Sequence, residues 1–509
     1  MPEVSVIWAF PEKPAPAVPV AAATPVILAA MEPLPPLIFE LCKAVLDEGG
    51  RAFLVGGWVR DLEIRRLQGL ADFPTAGELD LEVYGVPADR LASLLGRFGE
   101  VRLVGQSFAV YKLVPRPAAG SGTGAAIDVS LPRRDTKVAA GHRGFEVQGD
   151  PNLSQREATR RRDFTVNAMM YDPLDRETID LWSGRDDLRA GLLRAVDPST
   201  FIEDSLRVLR AVQFSARLGF GVEPGTVELC RRIDLSDLPA ERIWGEIEKL
   251  LLKAARPSIG LEWASRLGVV DRLFPEMKAL QDCPQEPEWH PEGDVWVHTL
   301  MAVDQAKREI DGLPIEKALT VLLAVICHDF GKPSTTAVVD GRIRSYEHEE
   351  AGILPARAFL DRLNIRTLHG YDVREQVVQL VAHHLTPSHY FKNRENVGDG
   401  AFRRLARRLE PDLLYRVSRA DCLGRTGDFS TEAQEWFIGR VRDLSVQSRP
   451  PAPILMGRHL LEMGLPPGPA IGRITRAIYE LQLDGRIRDL EDARREARRL
   501  LNEDEVDTS

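Results

Sequence analysis

Hydrophobic and polar positions divide this 509-residue chain into regimes with different periods. Residues 1–36 carry Pro, Ala and Val, with no basic start ahead of an apolar core. They predict a disordered leader rather than a signal peptide. From Leu37 the pattern becomes globular. Ala52–Val55 reads as a short apolar strand, Gly56–Gly57 as a turn and Trp58–Leu67 as the start of a helix. Leu79, Leu81 and Val83 alternate with acids, and Ile127 and Val129 flank Asp128, which is the two-residue period of a half-buried strand. Arg161–Ala168 opens an apolar helical pattern, and helical periods then continue almost to the end. Strands early and helices late predict an α+β fold, a strand-containing head on a mostly α-helical body.

Punctuation sets the expected boundaries. Pro-rich stretches at Phe274–Pro291 and Arg449–Pro453 interrupt the helical part. The resulting segments are the leader (1–36), a head (37–183), a helical neck (184–275), a histidine-bearing block (290–392) and a C-terminal helical body and tail (393–509). Asp489–Leu501 predicts a charged amphipathic helix and Asn502–Ser509 an acidic tail. The length exceeds what one ordinary core serves, consistent with several domains.

Composition narrows the function classes. A net charge of -10 argues against bulk electrostatic binding of nucleic acid but leaves room for a local basic groove. The 5 cysteines form no C-x-x-C pair, which argues against a disulfide framework or structural zinc. No apolar run is long enough to span a membrane, so a cytoplasmic location is expected.

The head carries candidate phosphate chemistry. Glu78, Asp80 and Glu82 sit at alternate positions and share one strand face at steps of roughly 6.5 Å. Carboxylates so placed suit Mg²⁺, and Asp128 on a later strand is a third candidate. Gly56 and Gly57 let backbone N–H groups approach a triphosphate, and Arg60 lies in the first turn of the next helix, where anions are favoured. An isolated D-x-E is usually a solvated strand edge; the neighbouring glycine turn reverses that reading. Arg160, Arg161 and Arg162, beside Asp163, add positive charge.

Thr200–Glu203 reads as a capping box that starts a helix. Asp204 and Arg207 then lie three apart on one face, with Arg210 a further turn along. Cytosine and adenine each offer an exocyclic amine beside an acceptor ring nitrogen, which a carboxylate plus a guanidinium matches. Uracil and guanine present the reverse, and unpaired buried polar groups make that mismatch costly.

Eight of the 10 histidines fall between His290 and His389, and clustering of this kind with nearby acids suggests metal. His328–Asp329 follows the apolar run Leu319–Cys327, His298 lies on an earlier helical stretch and Asp421 on a later one. Such a set can seat a divalent ion that activates water for phosphoester hydrolysis. His348, His383 and His384 are candidates for a second metal or for substrate.

Together, Leu54–Asp61, Glu78–Gly85, Arg161–Ala168 and Glu203–Arg210 resemble the class II tRNA nucleotidyltransferases, meaning the CCA-adding enzymes and bacterial poly(A) polymerases. The middle block resembles an HD-domain phosphohydrolase. Leu238–Trp244, Trp289–Glu292, His298–Met301 and Gly424–Gly427 resemble the CCA-adding subgroup that carries an HD domain. The resemblance runs from about Phe53 to Glu491. It implies a polymerase-beta-type nucleotidyltransferase head with a mixed sheet, adding CMP and AMP from CTP and ATP to tRNA 3′ ends with Mg²⁺, and no obligate protein partner. It implies Gly56, Gly57, Arg60, Arg162, Asp163, Asp204, Arg207 and Arg210 as nucleotide-binding, with Asp204 and Arg207 as the protein template. It implies Glu78 and Asp80 as catalytic, beside which the strand reading sets Asp128, and it implies His298, His328, Asp329 and Asp421 as ligands of a divalent ion at the HD site. The family pattern at the first acid is Asp-x-Asp, where this chain has Glu78. Either Glu78 with Asp80 or Asp80 with Glu82 therefore holds the head metals. Rival readings are a poly(A) polymerase, an enzyme adding only A or only C, an HD hydrolase with a vestigial head, and a non-catalytic RNA-binding protein.

Overall fold

The computed structural model describes residues 34–70, 74, 79–104, 110–116, 126–137 and 145–507. Glu78 and most of the predicted leader lie outside the described residues. The chain forms two compact units. One comprises Met1–Glu246 with Trp263–Arg272, the other Ile247–Glu262 with Leu273–Ser509.

The first unit is built on a seven-stranded sheet. Its strands are β1 (Arg51–Val55), β2 (Leu79–Tyr84), β3 (Gly99–Val104), β4 (Val110–Pro115), β5 (Ile127–Ser130), β8 (Met170–Asp172) and β9 (Glu177–Ile179), while β6 (Arg133–Lys137) and β7 (Phe145–Gly149) form a separate hairpin. The order is β3-β4-β5-β2-β1-β8-β9, with β2 and β5 parallel and the other pairs antiparallel. β1 is central, and its apolar run Ala52–Val55 is buried throughout because both faces are covered. Helix α1 (Pro36–Asp47) packs against it through a buried row that includes Ile38, Leu41 and Val45. On the opposite face Phe53, Val55 and Tyr84 meet Ala158 of α4 (Gln155–Arg160) and Met170. Helices α2 (Gly57–Leu67), α3 (Ala88–Leu95), α5 (Gly184–Ala190), α6 (Pro198–Phe201) and α7 (Leu206–Leu218) complete the elements near the site.

Three expectations change here. Strands do not stop at Arg162: β8 and β9 return to the sheet and close the β1 edge. Arg161–Ala168 does not start a helix but folds around a short 3₁₀ turn at Thr165–Asn167, held by Thr165 N–H donating to Arg194 O (2.9 Å) and Val196 N–H to Asp163 O (3.2 Å). Thr200–Glu203 is not a capping box. Asp197 caps α6 through the N–H groups of Ser199 (2.9 Å) and Thr200 (3.2 Å), and α7 starts only at Leu206.

The second unit is mainly helical. The apolar helix Ile315–Cys327 is buried from Ala318 onward, because the helices Val295–Glu309, Val373–His383 and Pro411–Leu423 pack around it. Helices Gly457–Glu462, Pro469–Leu483 and Leu490–Asp507 share a small core of Leu455, Leu460, Ile474, Ile478, Ile487, Ala493 and Ala497. The helix expected over Asp489–Leu501 thus continues through most of the expected tail. Among the described residues no helix is long and apolar enough to cross a membrane.

Candidate active site and candidate metal centre

In the first unit the strand register brings the acids together. Asp80 pairs with Val55 of β1 on one side and with Asp128 of β5 on the other, so the two aspartates sit side by side on one sheet face. The turn after β1 comes up against them. Gly56 has φ +78, and the position its Cβ would take is 3.4 Å from Asp80 Oδ2 and 4.0 Å from Arg162 Nη1. A residue with a side chain would be strained here and would stand between a carboxylate and a guanidinium. Arg162 Nη1 donates to Asn167 O (3.4 Å), while its buried Nε has no partner, a donor left for an anion. Asp128 is half exposed, with Lys112 Nζ 3.9 Å away.

Glu82 belongs to a different environment. It is buried, accepts from the Tyr84 hydroxyl (2.7 Å) and lies 3.5 Å from Arg161 Nη2 and 3.7 Å from Arg162 Nη2. With both oxygens committed inward, it anchors the arginine segment, and Asp128 is the better-placed neighbour for Asp80. Burial and the Glu82 carboxylate push the Tyr84 phenol well above its ordinary range, so it remains a donor.

Arg60, expected to face an anion, is buried instead. Nη1 donates to Asn167 Oδ1 (3.0 Å), and Nε and Nη2 donate to Asp61 (2.8 and 2.7 Å). These contacts make it a support behind the glycine turn. Asp163, also expected at the nucleotide, is buried and accepts from Asn167 Nδ2 (3.1 Å), Phe164 N–H (2.7 Å) and Arg210 Nε (2.7 Å). Burial opposes its ionisation, but Arg210 and those donors outweigh it and hold the carboxyl below the usual range. Arg60, Asn167, Asp163 and Arg210 thus form one chain of contacts from α2 to α7. Phe214 lies under the guanidinium groups of Arg60, Arg210 and Arg217, with centroid distances of 5.3, 5.1 and 5.7 Å. Asn167 and Phe214 were not assigned roles from sequence. Asn167 had a signal, standing four residues after Asp163; Phe214 had none beyond its place on an amphipathic helix.

Asp204 precedes α7. Its Oδ1 accepts from Leu206 N–H (3.1 Å) and its Oδ2 lies 3.9 Å from Arg207 Nε. Arg207 donates to Thr200 O (2.6 Å) and to Arg161 O, so the expected partners do meet, with Arg207 also buttressing the arginine segment. Burial lowers the Arg207 pKa from its ordinary value.

In the second unit the four expected metal ligands converge. His298 Nε2 lies 3.1 Å from Asp421 Oδ1 and 3.3 Å from His328 Nε2, and His328 Nε2 lies 3.2 Å from Asp329 Oδ2. On the other side of Asp329, His348 Nε2 is 3.5 Å from Oδ1 and 3.3 Å from His384 Nε2. His383 is not part of this group. The Nδ1 atoms of His328, His348 and His384 face the carbonyls of Val325 (2.6 Å), Ser345 (2.8 Å) and Val381 (2.8 Å). Donation there leaves bare Nε2 lone pairs pointing at one another, an arrangement that suits a cation between them. Both Asp329 oxygens are buried without a hydrogen bond of good geometry, although Lys332 Nζ lies 2.7 Å from Oδ2. Asp329 is paired with Lys332 and Asp421 with Arg425, while the buried Glu292 side chain faces His290 and His298, so the donor set fits a divalent ion. Lys332 and Arg425 were also missed, although they stand three and four residues after Asp329 and Asp421. Burial, reinforced by His348, lowers the His384 pKa to about 3, keeping it neutral.

The arginine-rich runs 403–408 and 494–499 are largely spent within the fold. Arg404 and Arg407 pair with Glu480 (3.1 and 2.5 Å), and Arg494 and Arg499 pair with Glu491 (3.2 Å) and Glu496 (2.7 Å).

The Poly A polymerase head domain family matches residues 52–194, and the family described as the probable RNA and SrmB-binding site of polymerase A matches residues 219–281. The Multifunctional CCA protein of Methylococcus capsulatus is 35% identical over 448 residues, covering 84% of this chain and 93% of that protein. The Multifunctional CCA protein of Pasteurella multocida is 33% identical over 387 residues, covering 74% and 84%. Among solved structures, the Bacillus stearothermophilus CCA-adding enzyme in complex with CTP has a TM-score of 0.60 at 19% identity, covering 92% of this chain and 100% of that one. The Thermotoga maritima CCA-adding enzyme complexed with tRNA has a TM-score of 0.55 at 20% identity, covering 92% and 96%. At that identity these two show the fold.

Proposed function

Because this chain belongs to the family of multifunctional CCA proteins, we propose that it is a tRNA nucleotidyltransferase that adds CMP and AMP, from CTP and ATP, to tRNA 3′ ends. A cytoplasmic location goes with this reading. The observation that carries it is the Asp80–Asp128 pair on adjacent strands, set against the Gly56 turn with the Arg162 guanidinium beside it. Asp80 and Asp128, with Glu78 from the sequence, would hold Mg²⁺, which when bound stabilises the attacking and leaving oxygens of phosphoryl transfer. The Gly56–Gly57 backbone and Arg162 receive the triphosphate. Asp204 and Arg207 read the base edge, and Arg60, Asn167, Asp163 and Arg210 keep the glycine turn and α7 in register. Incubating the protein with tRNA lacking its terminus and each nucleotide separately tests this: C addition followed by A addition is expected. Addition of A alone would identify a poly(A) or A-adding enzyme, and no addition would leave the head vestigial.

A second activity is favoured by the unsatisfied Asp329 oxygens among converging histidine nitrogens. We infer an HD-type phosphohydrolase site in which His298, His328, Asp329 and Asp421 would hold a divalent ion, with His348 and His384 beside them. Loss of metal-dependent phosphoesterase activity in Asp329→Ala, with nucleotide addition retained, is the expected result.

A further inference from the structure

Glu292 stands in the loop that leads into the Val295–Glu309 helix, and its side chain is 1% exposed. Oε1 accepts from Nδ1 of His298 (2.9 Å) and from Nδ1 of His290 (2.9 Å), and Oε2 accepts from Thr426 N–H (3.2 Å) and Oγ1 (3.3 Å). The far nitrogen of His298 is the one that meets Asp421 and His328. A neutral imidazole has one N–H and one lone pair, so donation from Nδ1 to a carboxylate fixes the lone pair on Nε2, toward the candidate metal centre. His328, His348 and His384 are set the same way by backbone carbonyls. Among these four rings, only His298 makes its Nδ1 hydrogen bond to a side chain; Glu349 Oε2 stands 3.5 Å from His348 Nδ1, farther than the Ser345 carbonyl. Thr426 adjoins Arg425, whose Nη2 lies 3.5 Å from Asp421 Oδ1, so one carboxylate anchors the His298 ring and the segment flanking Asp421 together.

We propose that Glu292 is the positioning residue of the HD metal centre: it fixes the tautomer and ring angle of His298 and, through Thr426, the placement of Asp421. It does not contact substrate. The inference rests on the phosphohydrolase reading of this site. A carboxylate behind a ligating histidine raises ligand basicity and orients the ring, and its loss typically weakens metal binding by about 10–100-fold.

The test uses the full-length protein with Mn²⁺ alone as the calorimetric probe. Wild type, Asp329→Ala, Glu292→Gln and Thr426→Ala are compared, alongside hydrolysis of bis(p-nitrophenyl) phosphate and CMP incorporation into tRNA. Glu292→Gln should weaken the Mn²⁺ site that Asp329→Ala removes by about 10–100-fold. Its hydrolysis should recover at saturating Mn²⁺, and its CMP incorporation should be unchanged. Thr426→Ala should shift affinity in the same direction by a smaller factor, and it decides the matter if Glu292→Gln fails to fold. Mn²⁺ affinity in both variants equal to wild type overturns the role of Glu292 while leaving the HD reading intact. Equal Mn²⁺ binding by wild type and Asp329→Ala overturns the HD reading, and this inference with it.

Discussion

Replacing Gly56 by alanine isolates the backbone's part in the head site. The Cβ would meet Asp80 Oδ2 at 3.4 Å and Arg162 Nη1 at 4.0 Å, ordinary contacts that cost little. The backbone is the problem: φ +78 and ψ -142 lie in a region nearly reserved for glycine, and holding another residue there costs about 1–3 kcal/mol. Against this, alanine restricts the unfolded chain and returns about 0.4–1 kcal/mol. The net expectation is a loss of up to about 2.5 kcal/mol from these two ranges. Gly57 provides the internal control, because its added Cβ meets only the Arg60 guanidinium at 3.5 Å and it is the first residue of α2 with no positive φ. Gly57→Ala should be neutral or stabilising by up to about 1 kcal/mol. Urea unfolding of both variants measures stability, and CMP incorporation into tRNA lacking its terminus measures the site. Gly56→Ala should lose incorporation even where folded, because relaxing the turn moves its N–H groups away from Asp80 and Arg162. A Gly56→Ala protein as stable and active as Gly57→Ala would refute the argument.

Asp80→Asn should abolish nucleotide addition in a protein that still unfolds cooperatively in urea; retained CMP incorporation would count against the metal pair. Asp204→Ala with Arg207→Ala should loosen discrimination against UTP and GTP by about 5–150-fold, the equivalent of about 1–3 kcal/mol of unpaired polar groups, more than it lowers total incorporation; unchanged selectivity would count against the template role. Arg210→Ala leaves Asp163 buried without its main counter-charge and should cost about 3–5 kcal/mol in chemical unfolding. Because Asp163 is held below the ordinary carboxyl range, its contribution is complete above about pH 4 and lost as pH falls further. Asp163→Asn should therefore flatten the acid limb of the stability–pH curve and leave its neutral side parallel to wild type.

The head was legible where chemistry and period coincide. Ala52–Val55, the alternation around Asp80 and the strand at Asp128 all fold as read, because a central strand and its neighbours must match the sheet period whatever their function. The acids came together through register, which the sequence suggests for Glu82 and Asp80 on one strand but not for Asp128 across two. Arg60 and Asp163 read as anion or nucleotide contacts because residue type alone cannot distinguish a guanidinium facing solvent from one engaged by Asn167 and Asp61. β8 and β9 went unread since three-residue strands offer no period to count. The histidine block was read from clustering, whereas Glu292, Lys332 and Arg425 needed coordinates, since their importance lies in what they stand behind.

The path of the chain between its two units also constrains how the protein is made and dissected. The backbone passes from one unit to the other at residues 246–247, returns at 262–263 and leaves again at 272–273. Arg272 donates to Ile233 O, and Arg231 Nε donates to Arg266 O (3.0 Å), so the returning segment is stitched into the earlier one. A single stop codon or protease cut after Arg272 therefore releases the amino-terminal unit only together with residues 247–262, which belong to its companion. During translation that unit stays unfinished until Arg272 has cleared the ribosome, by which time the opening stretch of its companion has already been synthesised.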